Sequence, residues 1–377
     1  YIGHGIRARA QSLITLELGP ESQIERVQKQ YNEVGQERLT RLDYALRMRT
    51  REGILVVTSG EEKDPVQHTL RIGRLRTLER LGLAEERQQG VWELDARMEA
   101  KLRQLGARGD KFKMMQFSLR EAGIERAASS MALFESGARK APLVGKVVGV
   151  GLVDEISDST WVVIDAVDGR VHYAELGRLK SAEVPRRDTV AALAGGAVEG
   201  KPSRVAKLQE VSPVDVAGQS AYDGPTWLDQ AILSKWRPEP GTGGFAQEVR
   251  EALEVRGRWL ASRNLATVSP TGGVAAAPDM MRTLRRSENE RLVQGLSHTL
   301  GASYVAAEAG ERVAGIYDRD ITTPTGRIAV IRSGDTFTLA PWRPALEPFR
   351  GQAVTGVLGP SRVTWTLDRG RSLPGRA

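Results

Sequence analysis

Arg71, Arg74, Arg76 and Arg80 stand close together in the stretch Leu70–Ala84, with Thr77 among them. A guanidinium is a rigid fork of N–H donors. It matches phosphate oxygens and the major-groove edge of guanine, so a cluster of such forks points to binding an anionic polymer rather than to bond breaking. Ile72, Leu75, Leu78 and Leu81 recur every third residue, which predicts a helix with these four inward. Gly73, Arg76, Thr77 and Arg80 then lie on the opposite side. Gly82 closes the helix, and Glu85–Gln88 and Val91–Leu94 read as a hairpin around Gln89-Gly90. On this reading Arg76, Thr77 and Arg80 face a DNA groove, while Arg71, Arg74 and Gln88 reach phosphates or form the wing. The competing reading is a charged surface helix packed on a small hairpin.

Other reactive residue types are scattered. The four histidines, His4, His68, His172 and His298, form no HExxH or HxH pattern. His68 reads as a turn or phosphate contact. Gly149-Val-Gly151 begins a dinucleotide fingerprint, but the third glycine position holds Asp154. Ser129, Ser130 and Ser136 lack a nucleophile elbow. Asp154, Glu155, Asp158, Asp165, Asp168 and His172 cluster in sequence and suggest a metal site. Most of these acids flank predicted turns, however, where Asp is expected for its local hydrogen bonds, and no two share a face at ligand spacing. Lys111 and Lys113, beside Arg108, read as a solvated helix face. The absence of cysteine excludes disulfides, thiolate zinc sites and thiol nucleophiles. No catalytic residue, metal ligand or cofactor is expected in this chain.

The elements that must hold the arginines can be read outward from them. Gly19-Pro20-Glu21 starts a helix and Leu39, Leu42 and Leu46 continue in a second. Ile54–Thr58 is a short apolar strand. Asp64-Pro65 opens a short helix to Thr69, ahead of the arginine helix and its wing. That order is winged-helix-like. Asp95 caps a long helix to about Ala122. Residues 141–215 read as a small antiparallel β-barrel or curled sheet, with Asp168-Gly169 as a hairpin turn. Gly195–Ser203 and Thr267–Pro278 read as loops, and Pro213–Pro225 as a connector. Helices follow over 226–300, then a β-rich tail with a corner at Trp342. The expected fold is therefore α+β and multi-module: a winged-helix-like unit over 1–140, a central antiparallel β-barrel over 141–215, and a mixed helical and β unit over 226–377. No internal repeat is evident.

The chain has 377 residues and net charge +7. Residues 1–140 carry +5, residues 141–225 carry −3 and residues 226–377 carry +5. Basic ends suit an anionic partner. Yet 43 of the 54 basic residues are Arg, a bias that a GC-rich genome produces unaided. No run is long and apolar enough to span a bilayer, so no membrane insertion is expected.

Four stretches carry a resemblance. Tyr1–Gln11, Leu70–Ala84, Asp165–Tyr173 and Phe337–Glu347 resemble the C-terminal region of bacterial relaxases, the VirD-like mobilisation nucleases of conjugative elements. The resemblance extends over essentially the whole chain. It implies a cytoplasmic bacterial protein that assists DNA binding at a transfer origin, or assembles with relaxosome or type IV coupling proteins. The family's nicking tyrosine and the histidine cluster for its divalent metal match no stretch here, so neither is carried over. Tyr1 in place of Met fits the expectation of a fragment whose catalytic part precedes it.

Overall fold

The computed structural model describes residues 21–57, 64–136, 141–154, 158–179, 183–198, 201–308, 310–359 and 363–366. Expectations for Tyr1–Gln11, His4, Glu155 and the basic tail at Arg369, Arg371 and Arg376 lie outside the described residues. The protein is α+β and built of several modules. It divides into two compact units, Tyr1–Met114 and Met115–Ala377.

The first unit runs α1 Glu21–Val34, α2 Arg41–Arg49, β1 Ile54–Val56, α3 Pro65–Arg80, the hairpin β2 Ala84–Gln88 and β3 Val91–Leu94, and the start of α4 Met98–Glu121. Its sheet has the order β1-β3-β2, with Leu55 opposite Trp92. The Asp64 carboxylate caps α3, accepting from Val66 N at 2.9 Å, and Pro65 occupies the first turn. Nothing interrupts the chain near Thr69, so the expected short helix and recognition helix are one continuous helix. That helix is buried on two sides. Val66 and Leu70 pack with Val27, Val34 and Leu42. Leu75 and Leu78 pack with Leu46, Leu55, Trp92 and Leu94. Full burial of a Leu side chain contributes about 2 kcal/mol, so α3 is the spine of this unit.

The second unit opens on a six-stranded sheet: β4 Met131–Leu133, β5 Leu143–Asp154, β6 Ser159–Ala166, β7 Val171–Arg178, β8 Val190–Val198 and β9 Lys201–Ser212. Its order is β4-β7-β6-β5-β8-β9, and β4 joins β7 in parallel. The expected barrel is therefore a curled open sheet. A Cβ at Gly177 of β7 would meet Val205 of β9 at 3.2 Å, but no hydrogen-bonded register joins those strands and the sheet does not close. The expected loop at Gly195–Ser203 is the meeting of β8 and β9, with Val198 opposite Lys201.

Next come α5 Val216–Ser220, α6 Trp227–Leu233, α7 Phe245–Ser262, the hairpin β10 Ala266–Val268 and β11 Val274–Ala276, and α8 Met280–Leu300. The expected loop at Thr267–Pro278 is thus a hairpin. The remaining strands, β12 Ser303–Tyr304, β13 Arg312–Thr323, β14 Gly326–Ser333, β15 Thr336–Pro341, β16 Ala353–Leu358 and β17 Val363–Thr366, form a sheet of order β12-β15-β14-β13-β16-β17. The Trp342 corner is engaged within this module. Trp342 Nε1 donates to the Tyr317 hydroxyl at 2.9 Å, and the Arg327 guanidinium lies 3.5 Å over the indole.

Two modules of the fold, residues 40–102 in the first unit and residues 226–284 in the second, are built alike, so the expected absence of an internal repeat is corrected. Thr40-Arg41-Leu42-Asp43-Tyr44-Ala45 opens α2, and Thr226-Trp227-Leu228-Asp229-Gln230-Ala231 opens α6. In both, the aspartate accepts from the threonine backbone N–H at 2.7 Å. In both, it is then gripped by a fully buried arginine from the longer helix that follows. Arg74 donates from Nε and Nη2 to Asp43 at 2.7 and 2.8 Å, and Arg256 does so to Asp229 at 2.8 Å for each bond. Each arginine also ties down the entering loop. Arg74 reaches Gln36 O and Arg38 O at 2.5 and 2.8 Å, and Arg256 reaches Tyr222 O and Gly224 O at 2.6 and 2.8 Å.

From these arginines onward the two segments align without a gap. Leu78, Leu83, Ala84, Met98 and Leu102 correspond to Leu260, Leu265, Ala266, Met280 and Leu284, all buried. Gly82 and Asn264 hold the same left-handed position, at φ 68° and 61°. The hairpin registers coincide: Ala84↔Leu94 and Glu86↔Trp92 match Ala266↔Ala276 and Val268↔Val274. Side-chain identity is sparse, and the shared backbone and clamp carry the likeness.

Candidate nucleic-acid interface

Because α3 is buried on two sides, only a narrow strip of it faces outward. The structure separates the six candidate residues by that criterion. Arg74 is 0% exposed, held by Asp43 and by loop carbonyls. It cannot reach a phosphate; every donor direction is spent inside the unit, and this expectation is corrected. Arg71 is buried as well, 8% exposed. Burial, and next the charge of Arg49, lower its pKa from the ordinary value. Its expected phosphate contact is corrected for the same physical reason. Gly73, expected on the outer side, is buried.

Arg76 and Arg80 lie one turn apart on the outward strip and both are exposed. Arg76 is committed locally. It pairs with Glu79 at 2.9 Å and with Glu86 of β2 at 2.5 Å, and its guanidinium sits 4.8 Å over the Trp92 ring. The Glu79 hydrogen bond is the largest of the effects that raise its pKa. It pins the helix to the hairpin. Arg80 has no ion-pair partner among the described residues. Thr77 is half-buried, and its hydroxyl donates back to Gly73 O at 3.2 Å. Gln88 is exposed at the end of β2, where the register shifts by a bulge, and Gln89 beside it is also exposed. The outward strip therefore offers one uncommitted guanidinium, one committed guanidinium and an amide-bearing tip.

The hairpin itself is acidic. Glu85 and Glu93 flank Arg87 at 2.8 and 2.7 Å. His68 is a half-buried residue within α3 rather than part of a turn. These features were not legible from spacing alone, because a reading with one buried face left Arg71 and Arg74 free to reach phosphates where the helix has two buried faces.

The acidic cluster of the second unit resolves into separate contacts. Asp165 is buried, 3.2 Å from Arg126, and accepts from Phe245 N at 3.2 Å. Burial pushes its carboxyl pKa up to about 6 against the opposing Arg126 charge. Asp168 meets His172 Nε2 at 3.0 Å, and Asp158 meets Arg178 at 2.6 Å. Among the described residues no group of three or more His, Asp or Glu is placed to hold a metal ion. No described helix is long and apolar enough to cross a membrane.

Fold and surface thus define a multi-module α+β protein whose first unit presents a helix-and-wing face. The chain belongs to the DUF3363 family, described as proteins of unknown function, whose model matches residues 71–204 and 195–374. No curated protein and no solved structure matches it.

Proposed function

We propose that this chain is the non-catalytic C-terminal region of a relaxase-like DNA-mobilisation protein, and that its first unit holds DNA near the transfer origin. The observation that carries the reading is the outward strip of α3. Arg80 stands one turn beyond Arg76 with no ion-pair partner among the described residues, and the Gln88–Gln89 tip of the hairpin is exposed as well. A phosphate contact needs an exposed donor, and the Arg80 guanidinium supplies one. The resemblance of Leu70–Ala84 to relaxase sequences supports the same surface. Any divalent metal belongs to the nuclease region of such a parent protein.

Fluorescence anisotropy with duplex and single-stranded oligonucleotides over a range of salt concentrations tests this. Arg80→Ala should weaken binding and reduce the slope of log affinity against log salt by about one, the value for one phosphate contact. Unchanged affinity and slope would remove α3 as the contact. A second reading is favoured by the net negative charge of the wing, where Glu85, Glu86 and Glu93 outnumber Arg87 even though each is ion-paired within the unit. In it the hairpin docks on a basic face of a relaxosome or type IV coupling protein, without touching DNA.

A further inference from the structure

The hairpin β10–β11 has two strands where its counterpart in the first module has three. In the first module β1 lies along β3, and the Leu94 amide donates to Gly53 O at 2.9 Å. Among the described residues no strand pairs with the equivalent edge of β11, and α6 packs against this strand. Ala277 N donates to Leu265 O at 2.9 Å and Ser269 N to Gly273 O at 2.8 Å, so the odd-numbered residues turn their backbone groups toward β10. Antiparallel alternation then aims the N–H and C=O of Val274 and Ala276 outward. No hydrogen bond among the described residues uses them.

A cleft of about 470 Å³ is lined by the hairpin, by Ala231 and Ile232 of α6, and by Lys235, Trp236 and Arg237. Ile232 and Val274 occupy the positions of Leu46 and Trp92, which surround Leu55 of β1 in the first module. Leu75, Trp92 and Leu94 there become the smaller Gly257, Val274 and Ala276 here, and Leu55 has no counterpart. The absent leucine and the trimmed side chains leave the cleft. Lys235 and Arg237 are exposed on its rim; Arg237 Nη2 donates to Gly272 O at 2.7 Å, and neither side chain meets a carboxylate among the described residues. An open strand edge with an adjacent apolar cleft and a cationic rim is a site for strand addition.

We propose that β11 accepts an extended peptide segment from a protein partner as a third strand, with one branched aliphatic side chain in the cleft and acidic residues at its ends. The first module shows the occupant's geometry: a three-residue strand, Ile54–Val56, with a central leucine. The site does not rest on the DNA reading, since Arg80 and the α3 strip belong to the other module.

The test uses the full chain and a fluorescein-labelled peptide, Glu-Gly-Ile-Leu-Val-Val-Asp, which copies β1 with acidic ends. Binding should saturate, and amide exchange at Val274 and Ala276 should slow at least tenfold on addition. Replacing the peptide's leucine by aspartate should weaken binding by at least thirtyfold, with the protein itself unaltered. On the protein side, Ala276→Pro, which removes an outward N–H, should weaken it about tenfold. Absence of saturable binding, protection elsewhere than β11, or equal affinity for the aspartate peptide would overturn the proposal.

Discussion

The two modules share one device and differ in how fully it is closed. In each, an aspartate at the start of a short helix holds a threonine and receives a buried arginine from the longer helix that follows. The arginine then fixes the loop entering the short helix. In the first module a third strand seals the hairpin and Trp92 fills the space beneath it, with no part of its side chain exposed. In the second the seal is missing and Val274 is half-buried. The difference shows that the clamp, rather than the sheet, defines the module, because the clamp persists where a strand is lost.

The largest expected effect tests the clamp itself. Arg74→Ala and Arg256→Ala each leave a buried carboxylate uncompensated, which costs about 3–5 kcal/mol. Urea unfolding should show losses of similar size in the two variants. A mild effect in only one module would break the equivalence.

The seal comes next. Leu55→Ala should cost about 2–5 kcal/mol through the cavity it leaves. Val274→Ala, at the register position of Trp92 but half-buried, should cost about 1 kcal/mol. Equal losses would mean that the second hairpin is as tightly packed as the first.

A buried acid outside both modules gives a pH-dependent contrast with the clamps. Asp165 is held by one arginine contact at 3.2 Å, and burial dominates, so its folded pKa rises to about 6. A raised carboxyl pKa means that the folded state binds the proton more tightly. Its contribution to stability is therefore fully present below about pH 4 and is lost as pH rises through about 6, with a magnitude of about 1–3 kcal/mol. Asp165→Asn should flatten that part of the stability profile between those pH values. Glu210 and Glu288, whose pKa values burial also raises, would leave a residual slope of the same sign. A variant with the same profile as the parent would place the titration elsewhere.

The smallest stability effect belongs to Arg80→Ala. An exposed residue without an ion-pair partner among the described residues should change unfolding by no more than about 0.5 kcal/mol. Its effect on DNA affinity can then be read without a folding correction.

Much of the architecture was legible because it follows from local chemistry. The hairpin at Glu85–Leu94, the cap at Asp64 and the Asp168-Gly169 turn all sit where glycine, proline and aspartate place them. The α+β composition followed from the same signals. What escaped was set by tertiary packing. Spacing cannot show that α3 is buried on two faces, so Arg71 and Arg74 read as surface cations although Arg74 is the centre of a buried clamp. A Gly/Pro-bearing stretch at Thr267–Pro278 reads as loop although tertiary packing makes it a hairpin. The repeat was hidden because its determinants are four residue types at long spacing: Thr, Leu, Asp and a distant Arg. The pairing of Thr-x-Leu-Asp with an arginine and a following Leu-Ala was the available signal, visible in Thr40–Asp43 with Leu83-Ala84 and in Thr226–Asp229 with Leu265-Ala266.

The central claim is that the second module is the first with one strand removed and its edge left open. Residue-resolved amide hydrogen exchange in the free protein tests it most directly. The account predicts that the Trp92 and Leu94 amides, covered by β1, are strongly protected, while those of Val274 and Ala276 exchange close to the rate of an unprotected chain. Comparable protection at all four amides in the absence of a peptide would contradict it.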